Sequence, residues 1–156
     1  MLTRSTEYAI RALVFIQLQN WLKKRPGVPE IAAEIEAPAP FSAKILHTLT
    51  RQGLLLSMKG RGGGFFFDGN QSDLTLHRVI HVMEGDSLFT RCGFGLKNCS
   101  DANPCPLHDR FIELRNGIEE LAMRETIGSL AAKIRSGNAV LNRIPPGVNT
   151  FVLQDD

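Results

Sequence analysis

The sequence predicts a mainly α-helical protein with one small β-hairpin, arranged as a winged helix-turn-helix domain plus a long helix suited to dimerisation. Three observations lead to this fold class. Apolar residues recur at helical spacing through most of the first fifty positions, two short helices are separated by a proline-rich break, and the helical period then gives way to a glycine-rich hairpin. The 156 residues allow one compact domain with an appendage.

The first helix is predicted over residues 3–20, with Thr3 as its N-cap. A basic turn beginning at Lys23 ends it. The apolar stripe that should face the core consists of Ile10, Leu13, Val14 and Leu18.

Two short helices follow. Pro29 is expected to open the first of them, because its fixed φ and missing N–H suit an initial helical position. Residues 37–40 should end the first of these helices, and the second helix should run over residues 41–52 and stop at Gly53. The inward positions are predicted to be Ile31, Ala32, Ile35, Ile45, Leu46 and Leu49.

A hairpin is predicted next, with strands over residues 54–58 and 65–67 around a basic, glycine-rich tip. A helix should follow over residues 75–84. After a non-periodic stretch, a long helix is expected to carry a seam suited to pairing with another helix, and a further helix to span roughly residues 126–135. The seam residues are Phe111, Leu114, Ile118 and Leu121.

The chain is thereby divided into four parts. Residues 1–84 are expected to form the winged helix-turn-helix DNA-binding domain, 85–106 a cysteine-containing cluster-binding loop, 107–135 the dimerisation helices, and 136–156 a flexible C-terminal tail.

Charge is distributed unevenly along the chain. The first 72 residues carry nine Lys/Arg against five Asp/Glu, and the remainder carries nine against eleven, so the first half suits a phosphate-rich partner. The sequence has no apolar run near the ~20 residues of a membrane-spanning helix and no secretory layout, so we expect a cytoplasmic protein without membrane association. The absence of a nucleophile–base pair or a Walker loop argues against an enzyme.

The predicted second helix of the helix-turn-helix would enter the major groove of double-stranded DNA, and the hairpin tip would approach the backbone or the minor groove. The alternative for the glycine run is a merely flexible turn with solubilising cations. The predicted DNA-binding residues are Thr3, Ser42, Lys44, His47, Arg51, Lys59, Arg61, Gly62, Gly63 and Gly64.

All three cysteines lie in the non-periodic stretch. Six residues separate Cys92 from Cys99, five separate Cys99 from Cys105, and two separate Cys105 from His108. Thiolates are soft ligands that select zinc, copper(I) or iron–sulfur clusters, and the wide spacing favours a cluster over the tighter cysteine pairs of structural zinc. An ordinary alternative for His108 is an exposed residue in the first turn of the long helix.

With these motifs, the chain resembles the Rrf2 family of bacterial winged-helix regulators, which has IscR-like, NsrR-like and RirA-like branches. The resemblance covers roughly residues 2–134 and rests on these segments, in family order: LTRSTEYAIRAL, EIAAEI, KILHTLTRQGLL, KGRGGGFFF, LTLHRVIHVMEG, the three-cysteine loop and RETIGSLA.

The resemblance implies a homodimer through residues 107–135 and a cluster whose state sets DNA affinity. Cys92, Cys99 and Cys105 fall on the family's cluster cysteines, and the ending at His108 resembles the IscR-like pattern, which carries a 2Fe–2S cluster. In the NsrR-like pattern a 4Fe–4S cluster takes an acidic fourth ligand from the other subunit, and Glu7 occupies that position here. The 2Fe–2S form is favoured, and both fourth ligands stay open.

The function expected is a cluster-dependent transcriptional regulator, a repressor that senses iron, cluster status, redox state or nitric oxide. One alternative keeps DNA binding but replaces the cluster by a thiol switch or a zinc ion. A third, from another class, is a small iron–sulfur electron carrier, in which the winged helix would have no role.

Overall fold

The computed structural model describes residues 1–69 and 73–142. Within these ranges the chain forms seven helices and a two-stranded antiparallel sheet, so the predicted fold class is confirmed. In chain order the elements are α1 (Arg4–Trp21), α2 (Val28–Glu34), α3 (Ala39–Arg51), β1 (Leu56–Met58), β2 (Gly64–Phe66), α4 (Leu76–Glu84), α5 (Ser87–Thr90), α6 (His108–Arg124) and α7 (Ile127–Arg135).

Helix α1 is the centre of the core. Its predicted N-cap is confirmed, because the side chain of Thr3 accepts a hydrogen bond from the amide of Thr6. Every residue from Ala12 to Leu18 is buried, so the middle of the helix is covered on all sides. The cover comes from α2, α3, α4 and α7, which all pack against it. More of α1 is therefore buried than the predicted apolar stripe along one face indicates.

The break between α2 and α3 lies two residues earlier than predicted, over residues 35–38 instead of 37–40. Ala39 and Pro40 belong to the first turn of α3, with Pro38 as the N-cap, because the first turn of a helix tolerates a residue without an N–H. The end of α3 is as expected: Gly53 adopts φ +78°, and the amide of Leu54 bonds the carbonyl of Leu49. The predicted inward residues of both helices are buried.

The hairpin forms with a shorter first strand than predicted, and its second strand has the predicted length but begins one residue earlier, at Gly64. Leu56 pairs with Phe66 and Met58 with Gly64. Leu54 and Leu55 lie before the strand and are buried in the main core. They lead the chain out of α3 with both side chains inside, which excludes them from an exposed two-stranded ladder.

The stretch over residues 85–106 is not all loop. Helix α5 lies within it, and its Phe89 packs with Ile80 of α4 and Ala122 of α6 in a small second core. This second core attaches the start of the cysteine-containing segment to α4 and α6.

Helix α7 and the residues after it return to the main core. Thr126 caps α7 in a capping box with Ser129, and α7 packs on α1. In the part of the predicted tail that the structure describes, residues 136–142, Leu141 is buried, and Asn142 donates hydrogen bonds to the carbonyl and carboxylate of Glu34. The rest of the predicted tail, residues 143–156, lies outside the described residues. None of the helices in the described ranges has the length and hydropathy needed to cross a membrane.

Candidate metal centre and nucleic-acid interface

The loop between α5 and α6 brings the three cysteines together. The Sγ atoms of Cys92, Cys99 and Cys105 all lie within 4.8 Å of one another, and those of Cys92 and Cys105 are 3.5 Å apart. Cys105 is buried and the other two are half-buried. Residues separated by up to thirteen positions thus present three soft donors to one point in space.

Helix α6 holds the start of this loop in place. The Arg115 guanidinium donates to the carbonyls of Thr90 and Arg91, at 2.6 and 2.8 Å, directly before Cys92. Gly93 lies against the ring of Phe111, where an added Cβ would come within 2.1 Å of a ring carbon. Phe111, a predicted seam residue, therefore supports the cysteine loop of its own chain.

His108 is buried in the first turn of α6, with 8% of its surface exposed, so the alternative of an exposed first-turn residue is wrong. Its Nδ1 lies 3.1 Å from Cys99 Sγ, and its Nε2 lies 2.8 Å from Asp101 Oδ1. A carboxylate only accepts, so in the neutral His108 ring Nε2 carries the proton, and Nδ1 is the nitrogen that offers a lone pair beside Cys99. Asp101 was not among the predicted site residues; a carboxylate inside a ligand-rich loop is the signal that could have identified it.

The thiols have different acidities. Burial acts to raise the pKa of Cys92, but the amides of Leu96 and Phe94 and the neighbouring thiols outweigh it and lower the pKa to about 7. For Cys99 the amide of Cys105 acts to lower the pKa, and burial with the neighbouring sulfurs raises it above its ordinary value. Cys92 therefore becomes a thiolate more readily than Cys99 at neutral pH.

The residues present fit a thiolate-bound metal centre. Thiolates around one tetrahedral zinc ion stand about 3.8 Å apart, close to the 3.5 Å between Cys92 and Cys105, and iron–sulfur clusters use the same donor class. His108 offers Nδ1 beside Cys99. Glu7 is exposed on the first turn of α1, and it does not belong to the group formed by the three cysteine side chains of its own chain.

On α3, three of the four predicted DNA-binding side chains are exposed: Lys44, His47 and Arg51. Ser42 does not project outward as expected: its surface is only 1% exposed, and its hydroxyl donates to the carbonyl of Pro38. Ser42 lies one helical turn before Leu46, on the face that packs into the core. Near the chain start, Thr3 is exposed, but its hydroxyl is engaged by Thr6 and Glu84.

The hairpin of β1 and β2, with the turn between them, is the wing of the winged helix. The tip of the wing exposes Lys59, Arg61 and Gly62. Gly63 and Gly64 are half-buried and sterically required, because an added Cβ would lie 2.2 Å from the Met58 carbonyl oxygen at Gly63, and 2.2 Å from that of Arg25 at Gly64. The glycine run is therefore a specific turn geometry rather than a merely flexible link.

Comparison with known proteins places the chain among transcription factors. A family model described as "Rrf2: Iron-dependent Transcriptional regulator" matches residues 2–133. A "Putative HTH-type transcriptional regulator" of Aquifex aeolicus is 30% identical over 81% of this chain and 88% of its own length. "Protein aau3" of Rhizobium meliloti is 32% identical over 83% of each chain. The regulator IscR of Pectobacterium atrosepticum is 23% identical over 83% of this chain and 77% of its own.

Solved structures share the fold. The global cysteine regulator CymR of B. subtilis superposes with a TM-score of 0.69 at 19% identity, covering 85% of this chain and 96% of its own. The IscR of T. potens superposes with a TM-score of 0.68 at 17% identity, covering 90% and 92%. At these identities the likeness concerns the fold.

Proposed function

The chain belongs to the Rrf2 family of transcriptional regulators, and from that premise we propose that it is a cytoplasmic repressor whose affinity for its DNA operator depends on an iron–sulfur cluster. The observation that carries this proposal is the convergence of three sulfur atoms and a buried histidine in one loop beside a winged helix. The iron dependence named for the family supports it.

Cys92, Cys99 and Cys105 would hold the cluster, with His108 as the fourth ligand through Nδ1. We favour a 2Fe–2S cluster, because histidine in place of cysteine is an established ligand set for that type. A 4Fe–4S cluster with Glu7 of the partner subunit is the alternative. When bound, the cluster would supply a centre sensitive to oxidation, nitric oxide or iron supply.

The residues of the winged helix would read the DNA. Lys44, His47 and Arg51 on the exposed face of α3 would enter the major groove, and Lys59 and Arg61 would contact the backbone beside it. Two protomers would bind two half-sites about one helical turn apart.

The homodimer would form through α6. Its Leu114 and Leu121 are 56% and 58% exposed, although both are large and apolar and lie on one side of the helix. The N-terminus of α6 starts at His108, and its Arg115 holds the residues before Cys92. Order in the cysteine loop would therefore act on the helix that sets the separation of the two α3 helices.

The proposal is tested by an operator gel shift with anaerobically purified protein, its iron-depleted form and the triple Cys→Ala variant. The holo protein should bind with a different affinity from the other two, and should contain iron and acid-labile sulfide. Ser100→Ala, a neighbour in the same loop, is the matched control and should behave as the holo protein. Equal binding by the holo protein and the triple variant contradicts cluster sensing.

A thiol switch is a second candidate, favoured by one observation. Cys92 and Cys105 Sγ are 3.5 Å apart, and a Cys92 pKa of about 7 supplies the thiolate that forms disulfides. In that case the isolated protein would be colourless, without iron or sulfide, and peptide mapping after peroxide would find a Cys92–Cys105 disulfide.

Zinc in the metal analysis would indicate a zinc-containing regulator instead. DNA affinity with a steep salt dependence would exclude an electron carrier as the whole function.

A further inference from the structure

A basic turn packs against the wing. The turn follows α1 and contains Lys23, Lys24 and Arg25, all exposed. Its backbone meets the wing at Gly64, where an added Cβ would lie 2.2 Å from the Arg25 carbonyl oxygen. Gly64 pairs with Met58 at the end of the ladder next to the tip. The basic turn is thus adjacent to the tip of the wing.

Hydrogen bonds fix the turn to the returning strand. The amide of Phe65 donates to the Pro26 carbonyl at 2.9 Å. Asn20 joins both pieces: its side-chain amide donates to the carbonyls of Lys24 and Phe65, and its oxygen accepts from the amide of Phe67. The turn and the wing are therefore joined by four hydrogen bonds, three of them through the side chain of Asn20.

The side chain of Arg25 adds a second link. Its guanidinium carbon lies 3.9 Å from the centre of the Phe66 ring, a cation–π contact, and its Nη1 lies 3.6 Å from the sulfur of Met58. Arg25 is engaged with the wing, whereas Lys23 and Lys24 extend the same surface outward.

The combined surface is strongly positive. Its cations are Lys23, Lys24, Arg25, Lys59 and Arg61. The ion pairs of the described residues lie elsewhere, on α4, α6 and α7 and in the cysteine loop. Five cations on two short turns that are bonded to each other complement a closely spaced row of phosphates.

We propose that Lys23 and Lys24 bind the phosphate backbone of DNA beside the wing, as a contact additional to α3 and the wing tip. The proposal rests on the proposed DNA-binding function and extends its footprint. Because the turn is bonded to the wing, a phosphate held by these lysines would also fix the approach of Lys59 and Arg61. Contacts of this kind position a protein on the duplex without reading its sequence.

The backbone at Lys23 allows a clean test. Lys23 adopts φ +63° at the end of α1, its amide bonds the Asn20 carbonyl, and the amide of Lys24 bonds the Gln19 carbonyl. This is the helix-ending motif in which glycine is the usual residue. Lys23→Gly therefore removes the charge while easing the backbone conformation, so we expect this substitution to leave the fold intact.

The experiment measures binding of the full chain, purified anaerobically with its metal, to a fluorescein-labelled duplex of random sequence at several salt concentrations. The variant Lys23→Gly/Lys24→Gln should bind more weakly, and its slope of log K against log salt should be shallower by about 1.8, the value for two phosphate contacts. Its melting temperature should equal or exceed that of the parent chain. Lys59→Gln/Arg61→Gln is the reference for a wing contact. Arg78→Gln/Arg124→Gln, at two exposed positions outside the wing and the cysteine loop, is the control of equal charge change.

The outcomes separate this inference from the function on which it rests. If the parent chain binds DNA with a steep salt slope and the wing variant weakens it, but the turn variant matches the control, the phosphate contact at the turn is wrong and DNA binding stands. If the parent chain itself lacks salt-dependent affinity, the proposed function fails first. A turn variant that loses both affinity and thermal stability would assign these lysines to the fold and overturn the inference.

Discussion

At the scale of single residues, the chemistry of the cysteine loop depends on how His108 is oriented. Asp101 Oδ1 accepts from Nε2, and this leaves Nδ1 directed at Cys99. Carboxylates that bind the second nitrogen of a histidine ligand fix its tautomer and its ring orientation. Asp101 is itself exposed, so its interaction with the buried ring is the feature that gives it a role.

Asp101→Asn should weaken metal retention without unfolding the chain. An asparagine amide can donate as well as accept, so it no longer enforces the tautomer that presents Nδ1. We expect iron loss to a chelator to become easier by roughly tenfold, with a changed visible spectrum and an unchanged melting temperature of the apo protein. The measurement is chelator competition followed by absorbance.

Asp109→Asn is the control for this prediction, because Asp109 is an exposed carboxylate in the first turn of the same helix. If the two variants retain iron equally and have the same spectrum, Asp101 has no role in orienting His108.

At the scale of elements, a carboxylate joins the start of α1 to the end of α4. Glu84 accepts from the amide and hydroxyl of Thr3, both at 2.9 Å, and from the hydroxyl of Thr6 at 2.5 Å. Burial acts to raise the pKa of Glu84, but the donors of Thr6 and Thr3 and the nearby N-terminal ammonium outweigh it and lower the pKa below 4.5. These hydrogen bonds connect the start of α1 to α4, the helix that leads into the cysteine-containing segment.

Glu84→Gln should destabilise the fold at neutral pH by on the order of 1 kcal/mol, because charged acceptors make the stronger hydrogen bonds and this site is partly solvated. The folded-state pKa lies below the ordinary 4.5, so the charged form contributes stability above that pH and loses it as pH falls through the lowered value. Urea unfolding between neutral pH and about pH 4 should therefore show the difference between parent and variant shrinking with acidity. The exposed Glu113→Gln variant should show no comparable difference, and a gap independent of pH would contradict the assignment.

At the scale of the whole molecule, α6 presents an apolar surface that its own chain leaves exposed. Ile118 is partly buried against the second core, whereas Leu114 and Leu121 are more than half exposed. The segment after α6 is instead covered by its own chain, because α7 packs on α1 and Leu141 is buried in the main core. This contrast supports α6 as the dimer-forming part of residues 107–135.

Leu121→Lys should weaken dimerisation by about 2 kcal/mol or more, which is roughly thirtyfold, because it places a charge in an apolar interface. Light scattering during size-exclusion chromatography should show a shift toward the monomer. Val140→Lys, at another apolar position with 64% exposure, is the control. If both variants keep the mass of the parent protein at every concentration, α6 is not the interface.

The local features of this protein were determined by its sequence. The approximate positions of all described helices except α5, the cap at Thr3, the stop at Gly53 and the hairpin follow from spacing and from turn residues, since helical period and capping act over a few neighbouring positions. The crowding of the cysteines into one segment was likewise visible, and it pointed to the donor set that the structure brings together.

Only the tertiary structure decided which side chains meet. Ser42 is buried because of how α3 rests on the core, Asp101 is placed at His108 by the fold of the loop, and the basic turn lies on the wing because Gly64 lets the two backbones approach. Leu141 closes the core from a segment that carries no periodic signal. Contacts between distant positions depend on how the packed elements are oriented relative to one another. A pattern that repeats over a few residues does not specify that orientation.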